Sequence, residues 1–126
     1  RATGDPEARA EAIRAFDAYR LRESRPKGEW TKEMDGRPAF QSLGFYMMKA
    51  NLLLTLREGL NDVSRDAELA ATVEKVLATF WHPERRIVFE NVGLDGRFDL
   101  DSMTGRHRIP AMRWKPCGFC SMRLGS

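Results

Sequence analysis

The sequence predicts a mainly α-helical chain with about three long helices and one β-hairpin. Three segments repeat apolar residues at the three- and four-residue spacing of a helix, and segments rich in proline or glycine separate the first two. After Pro83 the apolar period changes to two, which is the alternation of a strand. With 126 residues, 42% of them hydrophobic, the chain is long enough for one ordinary core.

The first predicted helix begins after Asp5-Pro6, because a carboxylate caps the first amides and proline is tolerated in the first turn. We expect it to end near Glu23. Its apolar face consists of Ala12, Ile13, Phe16 and Tyr19. Residues 24–40 contain prolines and glycines among alternating charges, which is typical of a loop.

The second predicted helix runs from about Ser42 to about Glu58, and its apolar surface is wider than a single stripe. A helix of this kind is normally buried on two sides, so one partner helix would not cover it. The third predicted helix carries a narrower stripe from Leu69 to Phe80 and should be more peripheral. Pro83 prevents it from continuing.

The hairpin is predicted from Ile87 to Leu100, with Asp95-Gly96 as its turn. An isolated hairpin is marginally stable in water, so we expect it to pack against the helices. Glu90 lies among the apolar residues of the first strand. Its carboxylate either faces solvent without a role or belongs to a functional site, and the strand pattern leaves both alternatives open.

The charge distribution argues against a nucleic-acid partner. The formal net charge is +3, but residues 107–126 contain four basic residues and no acidic one. Residues 1–106 therefore have 17 Lys and Arg against 18 Asp and Glu, a net charge of about −1, without the basic footprint of a nucleic-acid-binding domain. No apolar run reaches the roughly 18 residues of a membrane span, and we expect a cytoplasmic protein that does not engage a membrane.

The two cysteines, Cys117 and Cys120, have two possible chemical interpretations. A redox pair would require a strand before it and a helix after it, and no such context is visible. A structural zinc site requires four ligands, for which only His82 and His107 remain. We therefore expect two reduced thiols, with no metal and no cofactor.

Several motifs occur together in the order and spacing of a known family. They are Phe45-Tyr46-Met47-Met48-Lys49-Ala50-Asn51-Leu52-Leu53, Phe80-Trp81-His82-Pro83-Glu84, Phe89-Glu90-Asn91-Val92, Asp95-Gly96 and Gly105-Arg106. Over roughly residues 5–106 the chain resembles the N-acylglucosamine 2-epimerase family, also called renin-binding proteins. The resemblance implies that the chain is a central part of an (α/α)6 toroid, in which inner helices are covered on both sides.

The resemblance also implies a chemistry. Members epimerise or isomerise sugars by moving a proton beside the open-chain carbonyl, with histidines as general acid and base. After Gly-Arg the family continues with Asn-Pro-Gly-His-x-x-Glu, whereas this chain reads His107-Arg108-Ile109-Pro110. No catalytic residue can therefore be assigned. Glu90 is the expected carboxylate at the pocket rim, and Asn91 and Arg106 are candidates for contacts to sugar hydroxyls.

We divide the chain into a partial epimerase-like helical domain, residues 1–106, and a divergent basic tail, residues 107–126. A backward translation of Ile109–Pro116, read from the third letter, can give Pro-Gly-His-Ala-Val-Glu-Ala. We hypothesise that the tail is a frameshifted reading of the lost motif. The gene sequence tests this, because third positions that do not yield Pro-Gly-His in the shifted frame would disprove it.

Three functions follow as expectations. The first is a fragment of a sugar 2-epimerase or isomerase that binds a sugar and is inactive or weak alone. The second is a non-catalytic helical binding or assembly module that forms a homo-oligomer through exposed helix faces. The third is a thiol oxidoreductase, for which the pair of cysteines is the single argument.

Overall fold

The computed structural model describes residues 4–23, 36 and 38–109. The remaining residues, including most of the predicted loop 24–40 and both cysteines, lie outside this description. The helices are α1 (Pro6–Arg20), α2 (Leu43–Leu60) and α3 (Asp66–Phe80), and the 3₁₀ turn Leu21–Glu23 follows α1. The strands are β1 (Phe40–Ser42), β2 (Trp81–His82), β3 (Ile87–Phe89), β4 (Asn91–Gly93) and β5 (Arg108–Ile109).

The expected (α/α)6 toroid is wrong. The described residues form three helices and two small antiparallel sheets, which is an α+β arrangement. The three long helices are present, but most of the wide apolar surface of α2 is covered without further helices of a barrel, and Met47 and Met48 are left about half exposed. Helices α1 and α3 both pack against α2, and the strands cover its N-terminal end. The wide apolar surface of α2 therefore predicted that the helix is buried on two sides. It did not predict whether helices or strands would bury it.

The helix ends follow from local hydrogen bonding. Asp5 Oδ1 accepts a hydrogen bond from Glu7 N at 2.9 Å, which caps α1 as predicted. Ser42 Oγ accepts from Gly44 N at 3.3 Å at the start of α2. That helix ends at Asn61, whose φ of 50° is left-handed and whose N–H donates to the Arg57 carbonyl. These three ends thus have residue types that suit their geometry.

The strand region differs from the predicted hairpin. The partner of β3 in a hairpin is β2, joined through a turn in which Arg86 has a φ of 52°. Residues 97–100 form no strand. The Asp95-Gly96 turn is present, with Gly93 N donating to the Arg97 carbonyl at 2.9 Å. The predicted first strand is broken at Glu90, because β3 pairs with β2 and β5 whereas β4 pairs with β1.

One core cluster joins the N-terminal end of α2 to α3 and the strands. Phe80 and Val92 have no exposed surface, and Phe89 is 1% exposed. The buried residues are Leu43, Tyr46, Val76, Phe80, Phe89 and Val92. Because this cluster includes residues from both sheets, the sheets are fixed to the helices through it. That attachment meets the requirement that short strands pack against other elements.

A second core cluster lies between the helices. It consists of Phe16, Ala50, Leu53 and Leu69. Phe16 is the single buried residue among those of α1, and the guanidinium of Arg65 lies 5.1 Å from its ring centroid. Among the described helices, none has the length and apolar character that crossing a membrane requires.

Candidate functional site

The candidate site is centred on Glu90, which lies at the bend between β3 and β4. Its N–H donates to the His107 carbonyl at 3.1 Å, and its carbonyl accepts from Leu43 N at 2.8 Å. The first bond continues the β3–β5 ladder, and the second connects the bend to the first residue of α2. The backbone of Glu90 is therefore held from two directions, which fixes where its side chain begins.

The side chains of Glu90 and His107 are in contact. Glu90 Oε2 lies against His107 Nδ1, with 40% of the Glu90 side chain and 67% of the His107 side chain exposed. The pairing follows from register, because Val88 lies opposite Ile109 and Phe89 opposite Arg108. Two residues that face each other across a ladder point to the same side of the sheet. The contact orients the imidazole and leaves Nε2 on the far side of the ring from the carboxylate.

Asn91 lies beside this pair and is tied to the following loop. Its side-chain Nδ2 donates to the Thr104 carbonyl at 3.3 Å. Its backbone is paired with Ser42 in the β1–β4 sheet, next to the cap of α2. Asn91 is half-buried. Its side-chain amide therefore connects β4 to the loop that leads to His107.

The loop from Asp99 to Arg106 leads directly to His107 and so positions it next to Glu90. Asp99 Oδ1 accepts from Asp101 N at 2.9 Å and from Ser102 N at 3.0 Å. These hydrogen bonds, chiefly those from Ser102, hold the pKa of Asp99 below its ordinary value, and the Arg106 guanidinium contributes a smaller lowering. Arg106 is exposed and its N–H donates to the Ser102 carbonyl at 3.0 Å.

Gly105 is buried in this loop because a side chain would not fit. A Cβ at this position would lie 2.2 Å from the Asp99 carbonyl oxygen and 2.6 Å from Asp99 Cβ. Such distances require the backbone of the loop to move. Gly105 thus allows the backbone near residue 105 to lie close to Asp99, and this conformation of the loop places His107 opposite Glu90.

Two of the three predicted site residues, Glu90 and Asn91, are neighbours at the bend, whereas no described contact joins the Arg106 side chain to either of them. His107 was missed because the basic composition that begins there indicated a separate tail. Residues Arg108–Ile109 instead pair with β3, although they follow the predicted domain boundary. A two-residue strand is too short for apolar alternation to reveal it. Only the knowledge that the loop returns to β3 would have placed His107 at the site.

His82 is part of the packing and not of this site. Its ring centroid lies 4.9 Å from that of Phe98 and 6.0 Å from that of Phe89. Its Nδ1 accepts from Arg85 N at 3.4 Å within the β2–β3 turn. Among residues 4–23, 36 and 38–109, no group of three or more His, Cys, Asp or Glu is arranged to hold a metal ion.

A partly exposed carboxylate in contact with an imidazole can accept and donate hydrogen bonds, and it can accept or release a proton. Comparison of the chain with family models, with curated proteins and with solved structures found no match. The likeness to the N-acylglucosamine 2-epimerase family rests on the motifs quoted above and stays a prediction.

Proposed function

We propose that this chain is a carbohydrate-binding fragment related to the sugar 2-epimerases, and that Glu90, His107 and Asn91 mark where a sugar is bound. The observation that carries the proposal is the contact between Glu90 Oε2 and His107 Nδ1. Arg106, which the resemblance also suggested, is a lesser candidate because none of the described contacts joins its side chain to Glu90 or His107.

The chemistry of the pair suits a polyhydroxyl ligand. An ionised carboxylate accepts hydrogen bonds through two oxygens, and an imidazole nitrogen accepts or donates according to its tautomer. A sugar presents neighbouring hydroxyls, each of which both donates and accepts. Two adjacent hydroxyls can therefore bond to the carboxylate and to the ring at the same time. The exposed fractions of both side chains leave room for such a ligand.

The same exposure argues for weak catalysis. General acid–base catalysis contributes about 10²–10⁴-fold where a group is held against its substrate, and enclosure strengthens the electrostatic part of the effect. The side chains of His107 and Glu90 are both solvent-exposed to a large extent. We therefore expect sugar binding with little or no epimerisation by the chain alone.

A titration with N-acetylmannosamine, mannose and cellobiose tests the proposal, with binding followed by ligand-detected NMR. Glu90→Gln should weaken binding about fivefold, the change expected when a partly exposed charged acceptor worth about 1 kcal/mol is lost. Glu84→Gln is the matched control, because Glu84 is exposed in the β2–β3 turn. Equal affinities for both variants and the unchanged chain would refute the assignment. Robust epimerisation of any of the three sugars would refute the expectation of weak catalysis.

Self-association is a second candidate function, and one observation favours it. Met47 and Met48 on α2 are 50% and 49% exposed, and Leu77 on α3 is 38% exposed. Exposed apolar side chains on neighbouring helices are typical of association surfaces. Sedimentation that gives a compact monomer across a wide concentration range would oppose this function. A dimer that Met47→Lys disrupts would support it.

A further inference from the structure

We propose that the face of the β2–β3–β5 sheet that carries Trp81, Val88 and Ile109 is a stacking surface for a pyranose ring, with Trp81 as its aromatic residue. This inference rests on the proposed sugar-binding function, and it specifies that the sugar is bound in its cyclic form. The ring would lie on Trp81 while its hydroxyls reach Glu90 and His107. The ligand class is therefore a cyclic sugar, as distinct from an open-chain polyol.

Strand register places the relevant residues on one face. Trp81 lies opposite Val88, and Val88 lies opposite Ile109. Side chains two residues apart on a strand share a face, so Glu90 follows Val88 on this side and His107 precedes Ile109. The contact between Glu90 and His107 agrees with that assignment. An aromatic ring, an apolar strip and a carboxylate–imidazole pair thus follow one another on a single face.

Exposure on this face is greatest at its two ends. Phe89, whose side chain points to the opposite face, is 1% exposed and packs 4.8 Å from Phe98 between ring centroids. Trp81 is 37% exposed, and the His107 side chain is 67% exposed. Val88 and Ile109, between them, are half-buried and pack against the first core cluster. The face is therefore exposed at the aromatic end and at the polar end, with partly buried apolar side chains between them.

The spacing of Trp81 and Glu90 suits one sugar ring. Across an antiparallel pair, a residue and the diagonal neighbour of its partner lie about 7–8 Å apart, within reach of aromatic and long side chains. Trp81 and Glu90 have this diagonal relation across β2 and β3. One face of a pyranose carries C–H groups and its edge carries hydroxyls. The C–H face would cover the indole while the edge meets the carboxylate.

An open-chain polyol has the same hydroxyls without a flat apolar face. It could bond to Glu90 and His107 but would bury little area on Trp81. The comparison of a cyclic with an acyclic ligand therefore separates the role of Trp81 from that of the polar pair. It also separates the failure of this inference from the failure of sugar binding as such.

The experiment is an NMR titration of the full chain and three variants with methyl mannopyranoside and with mannitol. The variants are Trp81→Ala, Trp81→Phe, which keeps an aromatic ring, and Leu94→Ala, a control in which an exposed apolar residue outside this face is shortened. We expect Trp81→Ala to weaken binding of the glycoside about tenfold and to leave mannitol binding unchanged. Trp81→Phe should retain most of the glycoside affinity, and Leu94→Ala all of it.

The other outcomes separate the role of Trp81 from that of the polar pair. If glycoside and mannitol bind equally and Trp81→Ala changes neither, the stacking surface is wrong while the polar site stands. If Trp81→Ala weakens both ligands equally, Trp81 supports the fold and is not a stacking residue. If Trp81→Ala does not fold, Trp81→Phe and the affinity ratio of the two ligands decide. If neither ligand binds the unchanged chain, the proposed function itself fails.

Discussion

Lys49 provides the sharpest energetic test of the packing that supports the site. It is 8% exposed at the centre of α2, with Nζ 3.1 Å from Glu23 Oε2 and 3.4 Å from Glu68 Oε1. Glu68 in turn lies 3.7 Å from a guanidinium nitrogen of Arg20 and 3.7 Å from one of Arg65. Ion pairs thus tie α1, the following 3₁₀ turn, α2 and α3 together.

The energy of the Lys49–Glu68 pair can be bracketed from its distance. At 3.4 Å, Coulomb's law gives about 1 kcal/mol with the dielectric constant of water and about 5 kcal/mol with an effective value near 20. The Glu68 side chain is 23% exposed, so screening by water moves the energy toward the lower value. We expect a coupling of about 1–2 kcal/mol between the two residues.

A double-mutant cycle measures this coupling by urea unfolding. Glu68→Gln should lower the free energy of unfolding by about 1–2 kcal/mol. Lys49 then stays buried after losing one of its two described ion pairs, and the pair with Glu23 is left. Lys49→Met replaces a buried charge by an apolar side chain of similar length and should be nearly neutral. In the Lys49→Met background, Glu68→Gln should cost about 1–2 kcal/mol less than in the unchanged chain, because only the Glu68 pairs with Arg20 and Arg65 remain to be lost. Purely additive free energies of unfolding would refute this reasoning.

Three further predictions concern the core and the loop that carries His107. Phe80→Ala should lower the free energy of unfolding by about 3–5 kcal/mol, because Phe80 is fully buried; a loss below about 1 kcal/mol in urea unfolding would contradict the described core. Gly105→Ala should displace the loop, since its Cβ would lie 2.2 Å from the Asp99 carbonyl oxygen. NMR shifts of His107 would detect that change, and an unchanged spectrum would oppose it. The pKa of Asp99 lies below its ordinary value of 3.8, so its contribution to stability is present above that pH and is lost as the pH falls through the lower folded-state pKa. An amide pH titration of Ser102 should show this transition, and Asp99→Asn should abolish it; a transition that persists in the variant would assign it to another group.

The local features were predictable because each depends on residues that are close in sequence. Asp5-Pro6 identified the start of α1, and Asp95-Gly96 identified a turn. In both cases the side chain or the conformational freedom of one residue satisfies neighbouring backbone groups. Such interactions leave a readable pattern in a few residues.

The arrangement of the strands was not predictable in this way. Residues Ile87–Val92 have the alternation of one strand. The backbone N–H of Glu90, however, donates to the His107 carbonyl, and the Glu90 carbonyl accepts from the backbone N–H of Leu43, which lies far away in sequence. The competition between two sheets for one segment is decided by these distant partners. The toroid was wrong for the same reason, since the surface of α2 cannot indicate whether helices or strands will cover it. The side-chain contact of Glu90 with His107 likewise depends on a distant segment, because it forms only when β5 pairs with β3.

Chemical-shift mapping with ¹⁵N-labelled protein and mannose is the direct test of sugar binding at Glu90 and His107. We expect saturable shifts that are largest at the amides of Glu90, Asn91 and His107, with smaller ones near Trp81. Glu90→Gln should reduce those shifts at a given sugar concentration, and Glu84→Gln should not. The absence of saturable shifts, or shifts centred on Met47 and Met48 of α2, would contradict the claim.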